Sequence, residues 1–207
     1  MKHKILSGFI VLEGLDGSGT TTQLELLAES FRKAGIPALS TCEPTDMTLG
    51  RTIRTVLKKE EKVHPETLAR LFTADRNEHL FNPSSGIVRM ISEGKRVISD
   101  RYLFSSLAYQ SLDLDFDLVY ELNSRFPLPE YLFFIDTSIE ECQKRLGKRN
   151  AEELFDDSEI QEKIYSNYMQ AFKRYGRSGM KYHVVDGNKP AEKINEEIWK
   201  IAGSAEK

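Results

Sequence analysis

Glycines and threonines near the start of the chain have the spacing of a phosphate-binding loop. Gly14, Gly19 and Thr21 fit the pattern G-x-x-x-x-G-K-[ST], which turns backbone N–H groups toward an anion at the positive end of a helix. Thr20 stands where the pattern has lysine, so amides and a hydroxyl remain but the mobile positive charge is missing. The pattern indicates phosphate binding, although an ordinary glycine turn between a strand and a helix would contain the same glycines.

Charged side chains follow two later apolar segments at the points where these end. Glu43 follows the segment 38–42, and Asp100 and Arg101 follow Arg96 to Ser99. The carboxyl ends of parallel strands form the ligand-binding edge of an open α/β sheet. There Asp100 could hold a Mg²⁺-bound water and Arg101 could clamp a phosphoryl group, or the two could simply pair with nearby charges.

Aromatic and polar side chains in two helical segments have the chemistry of a nucleoside pocket. Phe72 and Arg76 are four residues apart and share a helix face, so one could stack on a base while the other bonds its edge. Ser106, Tyr109 and Gln110 form a polar and aromatic cluster suited to sugar and base contacts. Taken singly, Phe72 would more often be a core residue and the others helix surface.

A frame of alternating strands and helices must position these residues. Five apolar runs predict the strands, and amphipathic segments between them predict helices, including a long helix from Ile160 to Tyr175. The segment Pro127-Leu128-Pro129 is predicted to be a rigid connector. The pattern favours one α/β domain over residues 1–207 with a doubly wound parallel sheet. The predicted strands cover 9–12, 38–42, 96–100, 131–136 and 182–186.

Composition excludes several classes of function. The formal net charge of −3 gives the protein no overall nucleic-acid footprint, and no apolar run approaches the length of a membrane span. Cys42 and Cys142 lie far apart without metal-type spacing, so we expect packed thiols. These features predict a reduced, cytoplasmic protein that binds neither nucleic acid nor a membrane.

Several motifs, in order and over nearly the whole chain, resemble those of thymidylate kinases in the P-loop nucleoside-monophosphate kinase group. This resemblance implies a three-layer P-loop NTPase fold with a five-stranded parallel sheet flanked by helices, and a homodimer. It also implies transfer of the γ-phosphoryl group of ATP to dTMP with Mg²⁺, giving dTDP. An acceptor-binding region over about 43–82 and a short lid over about 147–157 are implied as well. The motifs are GLDGSGTTTQ, Glu43-Pro44, LFTADR, DRYLFSSLAYQ and the lid-like RLGKR.

The resemblance assigns roles to residues on the donor side. Arg145 would lie by adenine, and Arg149 in the lid would reach the transferring phosphoryl group. Thr21 would bind Mg²⁺, with Asp100 near the same metal. The ATP phosphates would be held by Gly14, Leu15, Asp16, Gly17, Ser18, Gly19, Thr20, Thr21 and Thr22.

On the acceptor side, the resemblance places Arg54 and Arg101 on the dTMP phosphate. Asp16 would bond near the sugar or phosphate, and Glu43 would approach the sugar and the metal. Tyr109 would crowd the 2′ position and disfavour ribonucleotides. The base would contact Phe72, Arg76, Ser106 and Gln110, and the catalytic group would be Arg101, Arg149 and Asp16.

Departures from the family pattern leave alternatives open. Besides Thr20, Cys42 stands where many bacterial members have arginine, and Thr45-Asp46 replaces a common Gly-Gly. We expect retained kinase activity, because the acceptor-site residues occur together. The alternatives are a weakly active or inactive nucleotide-binding regulatory protein, or a deoxynucleoside kinase with Glu43 as general base. Arg54 and Arg101 favour an acceptor that already carries phosphate.

Overall fold

Five parallel strands form one sheet in the order β2-β3-β1-β4-β5 in the computed structural model, which describes residues 3–147 and 157–203. This confirms the predicted α/β class with a five-stranded parallel sheet. The register aligns Leu12 of β1 with Asp100 of β3 and with Phe133 of β4, so the strand ends lie side by side. The strands are β1 Ile5–Gly14, β2 Ala38–Cys42, β3 Arg96–Asp100, β4 Leu128–Asp136 and β5 Lys181–Asp186.

Helices cover both faces of the sheet. Pro65 opens α3, Ser138 caps α7, and Asp157 caps α8, which begins two residues before the predicted Ile160. In the described residues, none of the helices is long and apolar enough to cross a membrane. The helices are α1 Thr20–Lys33, α2 Thr48–Leu57, α3 Pro65–Phe81, α4 Ile87–Ser92, α5 Leu103–Tyr109, α6 Phe116–Asn123, α7 Ile139–Leu146, α8 Ser158–Tyr175 and α9 Ala191–Ala202, with a 3₁₀ turn at Gln110–Leu112.

Alternation along the central strand builds two separate cores. Phe9 and Val11 point to the face covered by α5 and α8, and Ile10 and Leu12 point to the face covered by α1 and α9. All four side chains are almost fully buried. A strand that is apolar on both faces belongs at the centre of a parallel sheet, and here it carries the glycine loop to the middle of the sheet edge.

The predicted connector at 127–129 is wrong for Leu128 and Pro129, which belong to β4. Proline lacks the N–H that a sheet ladder needs, but Pro129 lies opposite Leu6, where the register of β1 shifts. The N–H of Gly8 in this irregular stretch donates to the carboxylate of Glu130 instead of to a strand carbonyl. Proline is tolerated because the ladder is already interrupted there.

Candidate active site

A cavity of about 570 Å³ opens at the carboxyl edge of β1, β2 and β3. It joins the glycine loop to α2, α3 and α5, so it holds most of the predicted site residues. From the loop, the cavity is lined by Leu15, Asp16, Gly17, Gly19, Thr20, Thr21 and Thr22, but not by Gly14 or Ser18. From the other elements, it is lined by Glu43, Arg54, Phe72, Arg76, Asp100, Arg101, Ser106, Tyr109, Gln110 and Arg145.

The loop depends on glycine at two positions. Gly17 and Gly19 have φ values of +85° and +101°, in the left-handed region that favours glycine. A Cβ on Gly17 would also lie 2.7 Å from the carbonyl oxygen of Cys142. The loop therefore leads into α1, whose first residues Thr20 to Thr22 line the cavity. The N–H groups at a helix start have no partner within the helix and can bind an anion.

The substitution at Thr20 leaves the described cavity lining without a lysine. Thr20 is 6% exposed and is the first residue of α1. The cations that line the cavity in the described part of the chain are Arg54, Arg76, Arg101 and Arg145. Arg149, and with it most of the predicted lid over 147–157, lies outside the described residues.

Thr21 and Asp100 form a direct pair beneath the loop. The Thr21 hydroxyl donates to Oδ2 of Asp100 at 2.6 Å, while Oδ1 of Asp100 is buried without a hydrogen-bond partner. Hydroxyl and carboxylate oxygens are the ligands that Mg²⁺ prefers. No cluster of three or more His, Cys, Asp or Glu side chains suited to a metal occurs among the described residues, so a metal here would need further oxygen ligands from water or phosphate.

Arg101 lies between the loop and α5 with an unusual backbone. Its φ of +71° is uncommon for a residue with a side chain. Its Nη2 donates to Oδ1 of Asp16 at 2.5 Å, and Nη1 donates to the carbonyl of Gly14 at 3.1 Å. The Tyr109 ring lies 5.1 Å from the guanidinium carbon. A fixed guanidinium beside the loop can clamp an anion between donor and acceptor sites.

Arg76 is buried and Phe72 is partly exposed, the reverse of their isolated expectation. Arg76 is 1% exposed, and its Nε donates to Oε2 of Glu43 at 2.9 Å. Its Nη2 donates to the Ser106 hydroxyl at 3.0 Å, and Nη1 donates to the amide oxygen of Asn123. Three elements therefore fix the direction of this guanidinium.

Glu43 has both carboxylate oxygens engaged inside the protein. Oε1 lies 3.0 Å from Nδ1 of His79, whose Nε2 lies 2.6 Å from the Thr41 hydroxyl. Burial alone would raise the pKa of Glu43, but Arg76 and His79 outweigh it, and its pKa lies below the ordinary value. Sequence reasoning missed His79 and Asn123; the spacing of three between Arg76 and His79 on α3 was a signal for the first, and none was available for the second.

Three further predicted residues, Arg54, Gln110 and Arg145, also line the cavity. Arg54 donates from Nη2 to the carbonyl of Pro44 at 2.5 Å and approaches Cys42 Sγ at 3.6 Å, while its Nε is buried without a partner. Gln110 also has a buried oxygen, Oε1, without a partner. Arg145 joins the loop to the turn after β5, donating to the carbonyls of Ser18 at 3.0 Å and Gly187 at 3.2 Å.

Comparison with known proteins identifies one family. The family model described as thymidylate kinase matches residues 12–198. Three curated relatives have names that contain the words thymidylate kinase. The one from Treponema pallidum is 41% identical over 197 residues, covering 94% of each chain. The one from Methanococcus aeolicus is 38% identical over 94% of this chain and 95% of its own, and the one from Pyrococcus horikoshii is 43% identical over 78% and 81%.

Proposed function

Because the chain belongs to the thymidylate kinase family, whose members transfer a phosphoryl group from ATP to dTMP, we propose that the cavity at the sheet edge is its active site. The observation that carries this proposal is that a single cavity joins the glycine loop to Phe72, Arg76 and Arg101. Donor and acceptor phosphates can thereby meet in one enclosed space. We also propose that the acceptor-binding region spans about 43–82.

On the donor side, the backbone N–H groups of the loop and of the start of α1 hold the ATP phosphates. The Thr21 hydroxyl and the unpartnered Oδ1 of Asp100 are the groups that would hold Mg²⁺, directly or through water. Mg²⁺ bound there would neutralise charge on the phosphate oxygens. Arg145 supports the loop from outside through the carbonyl of Ser18 and flanks the space for adenine.

On the acceptor side, Arg101 and the free Nε of Arg54 bind the dTMP phosphate. The nucleophile is a phosphate oxygen that is already anionic, so catalysis requires positioning and charge neutralisation rather than a strong general base. Asp16 sets the direction of the Arg101 guanidinium. Tyr109, packed on that guanidinium, fills the space beside the sugar.

The base lies between Phe72 and the edge of Arg76. Arg76 has five N–H groups. Three make hydrogen bonds within the protein, and a second contact of Nη2 with Glu43 at 2.7 Å accounts for a fourth. One N–H on Nη1 is left for a carbonyl oxygen of thymine, and Gln110 adds an amide with an unpartnered Oε1.

The alternative of a deoxynucleoside kinase has no support from the geometry. Such an enzyme needs a general base beside the sugar hydroxyl. Glu43, the residue considered for that role, has one oxygen on Arg76 and the other on His79. Its lowered pKa also makes it a weaker base than an ordinary glutamate.

A coupled assay tests the proposal directly, with ATP, Mg²⁺ and each of dTMP, dUMP, dCMP, AMP and thymidine. We expect dTMP to be the best acceptor and thymidine to be inert. Arg101→Lys keeps the charge but loses the fork, and should lower kcat/KM for dTMP roughly 10²-fold while leaving ATP affinity unchanged. The control is Arg89→Lys on α4, an exposed arginine paired with Glu93. Equal losses for ATP and dTMP would contradict the assignment of Arg101.

A homodimer and a cytoplasmic location are further proposals that rest on the family resemblance. Light scattering should give a mass near twice the 23.7 kDa of one chain. A single-chain mass at assay concentrations would contradict the dimer. Fractionation of the native host should recover the protein with its cytoplasmic enzymes.

A further inference from the structure

Glu13, at the end of β1, is a fully buried carboxylate that does not line the cavity. Four donors surround it. Oε1 accepts from the backbone N–H groups of Tyr102 at 2.9 Å and Ser105 at 3.2 Å. Oε2 accepts from the hydroxyls of Ser105 at 2.6 Å and Tyr168 at 2.9 Å. No step of the proposed mechanism uses this group, so its burial needs another explanation.

The two backbone bonds fix the turn that carries Arg101. The side chain of Tyr102, the residue before α5, makes no capping hydrogen bond. The carboxylate of Glu13, which belongs to β1, caps the helix instead by accepting from the N–H groups of Tyr102 and Ser105. The N–H of Arg101 donates to the carbonyl of Leu12 at 2.9 Å. The strained φ of Arg101 is therefore held from both sides by the end of β1.

The two hydroxyl groups that bind Glu13 also contact the side chain of Arg101. The Ser105 and Tyr168 hydroxyls each donate a hydrogen bond to Glu13, so the lone pairs of their oxygens can accept from other donors. Nη1 of Arg101 donates to these same oxygens, at 3.1 Å to Ser105 and 3.2 Å to Tyr168. An ionised carboxylate only accepts hydrogen bonds, so it sets the direction of both hydroxyls. A protonated carboxyl would become a donor and lose one of the four bonds.

We propose that ionised Glu13 is the positioning residue for Arg101, aiming its guanidinium at the acceptor phosphate through the Tyr102 turn and the Ser105 and Tyr168 hydroxyls. The inference rests on the proposed role of Arg101 as the phosphate clamp. Glu13 itself touches neither substrate.

Several titratable groups surround Glu13 and influence its pKa. Arg101 and Tyr102 face it from the turn before α5, and Tyr168 faces it from α8. Asp16 pairs with Arg101. Burial raises the pKa of Glu13 to about 7, against the lowering effects of its hydrogen bonds and of Arg101. Burial also raises the pKa values of Tyr102 and Tyr168 well above their ordinary range, so both stay neutral.

The test compares Glu13→Gln, which keeps the size and removes the charge, with the unaltered protein between pH 5.5 and 8.5. The dissociation constants of dTMP and of ATP are measured for both proteins at each pH. The ionisation of dTMP itself cancels in the ratio of the two proteins' dissociation constants for dTMP. At pH 8.5 we expect the variant to bind dTMP about 10-fold more weakly with ATP binding unchanged. The ratio of the dTMP dissociation constants of the variant and the unaltered protein should approach one at pH 5.5, where Glu13 of the unaltered protein is protonated. A merely structural role would not produce this convergence.

A matched control and a second variant complete the experiment. Glu130 also holds a backbone N–H and a serine hydroxyl, those of Gly8 and Ser7, but at the other end of the strands; Glu130→Gln should leave dTMP affinity unchanged at every pH. Tyr168→Phe removes one relay hydroxyl and should weaken dTMP binding in the same direction. Combined with Glu13→Gln, its effect should be less than additive.

Three outcomes overturn the inference: unchanged dTMP affinity of Glu13→Gln at pH 8.5, a loss that is the same at every pH, or equal losses for dTMP and ATP. If Glu13→Gln does not fold, Tyr168→Phe alone decides, and unchanged dTMP binding in that variant rejects the proposal. Arg101→Lys separates this failure from a failure of the proposed function. If Arg101→Lys weakens dTMP binding specifically and Glu13→Gln does not, only the positioning role of Glu13 is rejected. If Arg101→Lys does not weaken dTMP binding, the positioning role and the proposed role of Arg101 are both rejected.

Discussion

Single arginines in the cavity differ in how firmly their partners hold them. Arg76 is enclosed by Glu43, Ser106 and Asn123, so its guanidinium has one direction. Arg54 is partly exposed and keeps an unpartnered Nε. A guanidinium with a fixed direction suits recognition of a flat base edge. A guanidinium with an unpartnered N–H group suits a phosphate that arrives with the substrate.

The buried Arg76–Glu43 pair gives a stability prediction. Arg76→Met should lower the free energy of unfolding by about 3–5 kcal/mol, because it leaves the Glu43 carboxylate buried without its cation. Urea unfolding at pH 7 measures the change. Adding Glu43→Gln to that variant should recover part of the loss.

The control for this prediction is an exposed pair on the same helix. Arg70 and Glu66 are four residues apart on α3 with an Nη2–Oε1 distance of 2.5 Å, and both are at least one-third exposed. Arg70→Met should change the stability by less than about 1 kcal/mol. Similar losses at Arg70 and Arg76 would mean that the Arg76 pair is not energetically coupled to the core.

Among the elements, the glycine loop departs furthest from its pattern. Its amides and the Thr21–Asp100 pair are in place, but Thr20 supplies no positive charge. The arginines in the described lining are bound to carbonyls or carboxylates. We propose that Arg149, which follows α7 in the sequence, supplies the missing charge.

We predict that the charge introduced by Thr20→Lys and the charge of Arg149 are alternatives acting on the same phosphates. Arg149→Ala should lower kcat roughly 10²-fold or more, because it would remove a charge clamp on the transferring group. Thr20→Lys should partly restore the activity of that variant. Steady-state kinetics of the two single variants and the double variant form the cycle.

Lys144→Ala is the matched control for the loss of a cation from this region, because Lys144 is exposed on α7 and pairs with Glu141. It should leave kcat unchanged, with or without Thr20→Lys. If Thr20→Lys produces the same fold-change in the presence and absence of Arg149, the two positions act independently and the compensation is rejected.

At the scale of the whole molecule, the sheet brings distant parts of the chain to one edge. Glu13, Glu43 and Asp100 come from the ends of three adjacent strands, and the structure buries all three carboxylates. Glu43 is stabilised by opposite charge, whereas Glu13 is surrounded mainly by neutral donors. Their pKa values therefore shift in opposite directions, and they affect folding stability oppositely.

Glu13 should make the protein less stable as the pH rises. Its folded pKa of about 7 lies above its ordinary value of 4.5, so the folded state binds the proton more tightly than the unfolded chain. The stability that it contributes is full below about pH 4.5 and is lost as the pH rises through 7. Urea unfolding at pH 5 and pH 8, for the unaltered protein and Glu13→Gln, isolates this effect.

Groups with lowered pKa values, such as Glu43 and Glu130, act in the opposite sense, because their contribution is present above 4.5 and lost as the pH falls through their lower folded pKa. They are common to both proteins and cancel in the comparison. The advantage of the unaltered protein over Glu13→Gln should be larger at pH 5 than at pH 8. An advantage that is constant with pH would contradict the raised pKa.

The sequence by itself determined the strands, the glycine loop and the family, because hydrophobic periodicity and motif spacing are local properties of the chain. Apolar runs such as Phe9 to Leu12 predict buried strands wherever they occur. The tertiary structure decided the partners of the buried polar groups: Asn123 on Arg76, His79 on Glu43, and the four donors around Glu13. These partners are 30 residues or more from the groups they serve. Such pairings follow from which strand ends and helix faces meet in space. The spacing of Arg76 and His79 on α3 places these two side chains near each other, but no local pattern encodes that both meet Glu43.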